Sequence, residues 1–217
     1  MRENEGACWR GQIYRAVWAS WWTSGTLFPI RERRLPMITE RERATALELL
    51  TRSRQTLLDA VEGVTKAQAR WKPPADRWTV LEYVEHLAVS DDALVALVRR
   101  SLESPPQVEI EDERRIREKK IRVTPIPRGV NRAPDQLKPA GRFRSLDEAV
   151  SHFLAARERT IEYASNTQAD LRRHFAPHPV LGPLDAYQWL VGNARHAETH
   201  AGHIREIRAM DGFPAEP

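Results

Sequence analysis

The hydrophobic residues of this chain recur every three or four positions in four stretches of about twenty residues each, all after Met37. Each stretch opens with a residue that can cap a helix amino terminus, followed three positions later by an acid or amide that can cap in return. These pairs are Thr39 with Glu42, Thr79 with Glu82, Ser145 with Glu148, and Asp185 with Gln188. The pattern predicts four amphipathic helices packed as an all-α four-helix bundle. No segment alternates strongly enough to predict a β-sheet.

The links between these helices differ greatly in length. About a dozen residues join the first two helices, which suits an antiparallel pair. Residues 104–144 separate the second helix from the third, whereas about 2–8 residues are usual between adjacent antiparallel helices. So long a crossover can span the bundle and let the third helix run parallel to the second. Within it we expect a short solvated helix over residues 109–120, followed by irregular loop.

Residues 1–36 differ from the rest of the chain in composition. They hold four of the seven tryptophans, the only cysteine, and six arginines against three acids. They therefore carry +3 of the net charge of +4, and residues 37–217 are nearly neutral. We interpret residues 1–36 as an atypical extension, either disordered or an artefact of start-site choice, and residues 37–217 as the bundle domain. A basic surface broad enough for nucleic acid is not expected on that domain.

Composition narrows the class of protein further. The chain is 41% hydrophobic and 29% charged, with a mean hydropathy of −0.58, which is typical of a globular protein. No run approaches the ~18 apolar residues of a membrane span, so no integral membrane span is expected. A single cysteine, Cys8, cannot form an intramolecular disulfide, which favours a reducing, cytoplasmic location.

Histidines stand on the inner face of the fourth predicted helix, where apolar residues would be expected. His196, His200 and His203 fall within about 60° of one another on a helical wheel. Two imidazoles four residues apart can present nitrogens to one metal ion, as in zinc-binding helices. A buried histidine can also be a hydrogen-bonded core residue, so this pattern alone leaves metal binding and a structural role as alternatives.

A third ligand would have to come from another helix, and the second predicted helix offers His86. On the wheel His86 lies at the margin of the apolar stripe, which would make it an edge residue. The other histidines fit less well. His152 points away from the apolar face of the third helix, and His174 and His178 are expected in a loop.

Three separately spaced elements of the chain resemble the DinB-like (DinB/YfiT) superfamily. The first leads into the second helix and consists of Trp71-x-Pro73 and the run from Trp78 to Leu87 (WTVLEYVEHL). The second and third precede and occupy the fourth helix: His178-Pro179-x-Leu181-Gly182-Pro183-Leu184-x-x-x-Gln188-Trp189-Leu190, and His196-x-x-x-His200-x-x-His203-Ile204. The resemblance spans residues 40–210 and implies a four-helix bundle of up-down-down-up topology.

The resemblance also implies a metal site. Its ligands would be His86, His196 and His200, and the ion would be nickel or zinc. Three imidazoles with an open position suit a catalytic ion. Where the family commonly has glutamine before the isoleucine, this chain has His203. That departure leaves open whether His203 is a fourth ligand, a catalytic general base or a silent substitution.

Three functions are compatible with such a site. The first is a thiol S-transferase, which joins a low-molecular-weight thiol such as bacillithiol or mycothiol to an electrophile. The others are a metal-dependent hydrolase that activates water, and a non-enzymatic metal-binding protein of the stress response. A small-molecule substrate would be bound beside the crossover of residues 104–144. The oligomeric state stays open, with a homodimer as one alternative.

Overall fold

The computed structural model describes residues 38–74, 77–108, 110–124 and 133–215. Over these residues the chain is a helical bundle, which confirms the predicted all-α class. The helices are α1 Glu40–Val61, α2 Lys66–Arg70, α3 Val80–Ser101, α4 Glu111–Val123, α5 Leu146–Asn166 and α6 Ala186–Arg208, with a 3-10 turn at Asp135–Leu137 and two strands, β1 Phe175–His178 and β2 Gly182–Asp185. The predicted extension over residues 1–36 lies outside the described residues.

The four long helices begin at the predicted capping pairs. At the starts of α1, α3 and α6 the cap and the residue three positions later bond each other reciprocally. The α5 cap is only half of this pattern, because Ser145 accepts the Glu148 N–H while the Glu148 carboxylate accepts the N–H of Arg144. Such caps satisfy N–H groups that the helix itself leaves unpaired, which is why short local signals located these boundaries.

Side-chain contacts give the directions of the long helices. Residue numbers rise together along the contacts of α1 with α6 and of α3 with α5, so each of these pairs is parallel. They run in opposite senses between α1 and α5, which are antiparallel. Between α1 and α6, Arg52 contacts Glu198 and Ala60 contacts Arg208. Between α3 and α5, Asp91 contacts Arg157 and Arg99 contacts Tyr163. Between α1 and α5, Arg43 contacts Ala164 and Arg54 contacts Glu158. The topology is therefore up-down-down-up, as predicted.

A small antiparallel hairpin precedes α6, where no sheet was predicted. Strand β1 pairs with β2, so that Phe175 faces Asp185 and His178 faces Gly182. The bond from Trp189 Nε1 to the Ala176 carbonyl holds the hairpin against α6. The four-residue strands contain prolines and show no apolar alternation, which is why the pattern missed them. The expectation that His178 lies in a loop is wrong, because it ends β1.

The core consists of two apolar clusters along the bundle. One includes Leu57, Leu87 and Phe153, and the other includes Leu50 and Leu190. Between them lies a buried ion pair, in which both carboxylate oxygens of Asp91 contact the Arg157 guanidinium at 2.9 Å. No helix in the described part of the chain combines the length and the apolar character that crossing a membrane requires.

Candidate metal centre

The structure brings together three of the histidines that the sequence singled out. His86 extends from α3, and His196 and His200 extend from successive turns of α6. The Nε2 atom of His196 lies 3.0 Å from that of His86 and 2.9 Å from that of His200. One ligand atom from each ring lies within 4.8 Å of the others, so the group could hold a metal ion. We call these three residues the histidine cluster.

Burial keeps the rings of the histidine cluster neutral. It lowers the pKa of His86, although the bond to the Leu137 carbonyl opposes this shift. Burial also places the pKa values of His196 and His200 well below the ordinary range, and the neighbouring imidazoles lower them further. For His196 the buried Arg157 guanidinium adds to the same effect. Because a metal binds the unprotonated imidazole nitrogen, these rings are in the form that ligation requires.

The proton positions in the histidine cluster also fit a cation. The Nδ1 atom of His86 lies 2.8 Å from the Leu137 carbonyl oxygen, which can only accept, so Nδ1 carries the proton. The Nε2 atom of His86 therefore presents a lone pair to His196. A single proton on His196 Nε2 cannot bond well to both neighbouring rings. Nitrogens on a tetrahedral zinc ion would be separated by about 3.3 Å, close to the spacing observed along the cluster.

Two aromatic rings cover one side of the histidine cluster. The Trp78 ring centroid lies 4.8 Å from that of His86 and 6.1 Å from that of His200. The Tyr83 ring lies 5.2 Å from His200. This cover explains why His86 is only 4% exposed, contrary to the edge position that the helical wheel predicted. A helical wheel describes one helix in isolation, so it cannot show that Trp78, from the loop before α3, packs on His86.

His203 lies beside the histidine cluster but does not join it. Its ring centroid is 5.3 Å from that of His200 and 5.6 Å from that of Tyr83. Over the residues that the structure describes, the group of donor atoms within 4.8 Å contains His86, His196 and His200 without His203. The position supports a role next to the site.

The remaining histidines of the described chain lie elsewhere. His152 bonds the Asp92 carboxylate at the surface, where 42% of its side chain is exposed. The His178 ring packs against Trp189 at a tilt of 42°, with the ring centroids 5.0 Å apart, and its Nδ1 accepts the N–H groups of Val180 and Leu181. His174 precedes β1 and also stays outside the group. These positions agree with the sequence analysis, in which the same three histidines fitted a metal site less well.

Sequence reasoning missed the buried polar residues near the histidine cluster. The Asp91–Arg157 pair is one example, and Glu85, which is 1% exposed, is another. A charged residue on a helix is usually read as solvent-facing. The sequence did offer one signal, because Glu85 directly precedes His86 and lies between the apolar residues Val84 and Leu87.

Comparison with known proteins agrees with the family resemblance found in the sequence. A family model described as the DinB superfamily matches residues 49–204, which include the whole histidine cluster. The chain is also similar to an uncharacterized protein, YuaE, of Bacillus subtilis (strain 168). The two are 26% identical over 163 residues, which cover 75% of this chain and 96% of that protein.

Proposed function

This chain belongs to the DinB superfamily, and we propose that it binds a divalent metal ion, zinc or nickel, through His86, His196 and His200. The observation that carries this proposal is the convergence of three neutral Nε2 atoms, with the outer two at 3.0 and 2.9 Å from the central one. Buried nitrogen lone pairs that face one another are costly unless a shared proton or a cation lies between them. Imidazole nitrogen suits both zinc and nickel.

The reaction that we propose is the transfer of a low-molecular-weight thiol to an electrophile. When bound, the ion would act as a Lewis acid that lowers the pKa of the thiol, so that the thiolate is available at neutral pH. The sulfur then forms a bond to carbon, the leaving group departs with its electron pair, and the thiol proton passes to His203 and from there to solvent. Three protein ligands, His86, His196 and His200, would leave room on the ion for such a substrate.

In this scheme the surrounding residues orient the histidine ligands, shield them from solvent and take up the thiol proton. The Leu137 carbonyl fixes the tautomer of His86, and the Trp78 and Tyr83 rings screen His86 and His200 from solvent. We place His203 beside the substrate, where its imidazole accepts or returns the thiol proton. The neighbouring Arg157 charge favours neutral His196.

Metal analysis of the full chain, purified without an affinity tag, is the first test. We expect one zinc or nickel ion per chain, and no metal in His200→Ala. The second test is to replace the ion with cobalt and add cysteine or bacillithiol. Binding of the thiol sulfur to cobalt would produce a new charge-transfer band.

Each result of these two tests has one meaning. Metal together with a new band supports the S-transferase proposal. A metal-loaded protein whose spectrum is unchanged at saturating thiol contradicts thiol activation and favours metal-dependent hydrolysis. If a small anion such as azide also leaves the cobalt spectrum unchanged, the site is closed and non-enzymatic. Absence of stoichiometric metal overturns the proposal as a whole.

A further inference from the structure

The Glu85 carboxylate gathers four hydrogen bonds from the long crossover between α3 and α5. It accepts the backbone N–H groups of Ala140 at 2.7 Å, Gly141 at 3.1 Å and Arg142 at 3.3 Å. The Arg142 guanidinium donates a fourth bond at 2.8 Å. Three consecutive N–H groups that converge on one anion form a backbone nest. Glu85 therefore holds the crossover against α3 at this point.

The same stretch of crossover supplies the carbonyl that orients His86. Leu137 accepts from His86 Nδ1 at 2.8 Å, only three residues before the first N–H that Glu85 binds. Arg142 closes the intervening segment by donating to the carbonyls of Lys138 at 2.8 Å and Gln136 at 3.2 Å. Residues 136–142 thus form a compact loop that contacts two consecutive side chains of α3.

Gly141 makes this loop possible. Its φ is +74°, in the left-handed region that a residue with a Cβ rarely adopts. That conformation turns the neighbouring N–H groups to one side, where Glu85 accepts them. A Cβ at this position would meet open space, so a substitution would strain the backbone without a side-chain clash.

We infer that Glu85 is a positioning residue for His86: by folding residues 136–142 it places the Leu137 carbonyl on Nδ1 and so directs Nε2 toward His196. The inference rests on the proposed function, since it concerns a ligand of the proposed ion. His200 provides the internal contrast. Its Nδ1 is buried and has no hydrogen-bond partner in the described part of the chain. A backbone carbonyl therefore orients His86 but not His200.

The first measurement compares zinc affinity in matched variants of the full chain, by competition with a chelator. In Glu85→Gln we expect one ion per chain but an affinity about 10–100-fold lower, the range usual when a group that orients a ligand is lost. Glu82→Gln is the matched control. Glu82 lies on the same helix and accepts the Thr79 N–H at 2.6 Å, but its salt bridge goes to Lys72 rather than to the crossover. Its affinity should stay within about twofold of the unmodified chain.

Gly141→Ala tests the same interaction by changing the backbone of the crossover instead of the carboxylate of Glu85. It leaves Glu85 and all three histidines in place while disfavouring the backbone conformation of the nest. We expect a fall in zinc affinity in the same direction as in Glu85→Gln. If circular dichroism shows that Glu85→Gln has lost its helices, Gly141→Ala decides the question alone.

The second measurement reads the tautomer of His86 by nitrogen NMR on the metal-free protein. We expect Nδ1 to carry the proton in the unmodified chain, and a shift toward the Nε2–H form in Glu85→Gln but not in Glu82→Gln. This readout needs no metal, so it still tests the positioning role if the chain takes up no zinc and the proposed function fails. Unchanged affinity and tautomer in a folded variant would overturn the inference.

Discussion

Two partly buried polar clusters attach α6 to the rest of the bundle, and they differ in how their polar groups are paired. The histidine cluster places three neutral nitrogens against one another. Near the amino terminus of α6, a second group, which we call the arginine cluster, surrounds Arg172 with carboxylates. Its members are Arg172, Glu42, Glu118 and Asp185.

In the arginine cluster one guanidinium contacts all three carboxylates. All three guanidinium nitrogens of Arg172 contact carboxylate oxygens, with Nη1 at 3.0 Å from Asp185, and the guanidinium lies 4.0 Å from the centroid of the Tyr187 ring. Burial would lower the pKa of Arg172, but Asp185 and Glu42 outweigh it and raise that pKa. Burial likewise opposes ionisation of Glu42, yet bonds from Thr39 and Arg172 leave its pKa lowered.

The difference separates a structural group from a binding site. The arginine cluster already holds a cation among its carboxylates, and it joins the starts of α1 and α6 to α4. The histidine cluster has lone pairs in excess and lacks a positive group among them, which is the deficit that a cation supplies. Burial of polar groups is common to both, so burial alone would not have identified the site.

The largest expected effect comes from removing one ligand of the histidine cluster. His86→Ala, His196→Ala and His200→Ala should each reduce metal content from about one ion per chain to nearly none, because two imidazoles cannot replace a third in geometry. The stabilisation that zinc gives the unmodified chain, about 4 kcal/mol at a thousandfold excess over Kd, should disappear with it. Metal analysis and thermal unfolding with and without zinc measure both quantities.

His152→Ala and His174→Ala are the controls, because both histidines lie outside the cluster. They should retain full metal content. Full occupancy and unchanged affinity in His86→Ala would show that the ligand assignment is wrong.

Arg172→Met should damage stability without damaging metal binding. The substitution leaves Asp185 and Glu42 as buried or half-buried carboxylates without their cation, which typically costs about 3–5 kcal/mol. Urea unfolding measures the loss, and metal stoichiometry should stay at one ion per chain. Arg52→Met is the control, since its pair with Glu198 is 54% exposed on the arginine side and should contribute less than about 1 kcal/mol. Loss of metal in Arg172→Met would mean that the two clusters are coupled.

The two clusters should also lose stability in different pH ranges. The histidines have pKa values below the ordinary 6.5 in the folded protein. Below pH 6.5 the unfolded chain therefore binds more protons than the folded one, and the metal-free protein becomes less stable as pH falls. The slope is at most about 1.4 kcal/mol per pH unit for each histidine.

Glu42 acts in a lower range by the same reasoning. Its pKa is lowered from the ordinary 4.5, so its contribution is present above that pH and is lost as the pH falls further. Urea unfolding of metal-free protein between pH 7.5 and 3.5 should show a decline that begins near pH 6.5 and steepens below about pH 4.5, where Glu42 also contributes. In His196→Ala the decline between pH 6.5 and 4.5 should shrink; an unchanged decline in that range would contradict the assignment to the histidines.

How far the sequence predicts each part depends on the distance between interacting residues. The helix starts depend on pairs three residues apart, such as Thr79 and Glu82, and were predicted correctly. The His196–His200 pair is also local. By contrast, Glu42 meets Arg172 across 130 residues, and Leu137 meets His86 across 51. No pattern within one helix encodes such contacts, so the arginine cluster and the support of His86 were visible only in the folded chain.

The smallest effect is expected from His203→Gln. His203 is three residues beyond His200 and its ring lies 5.3 Å away, beside Tyr83, while the converging donors belong to the other three histidines. The variant should therefore bind one ion per chain with an affinity changed by less than ~10-fold. Its effect should appear in the pH dependence of the cobalt–thiol band, because glutamine cannot accept the thiol proton. His200→Gln, measured beside it, should lose the metal. Loss of metal in His203→Gln as well would make His203 a fourth ligand and turn the open site into a closed one, in which no position remains for a substrate thiol.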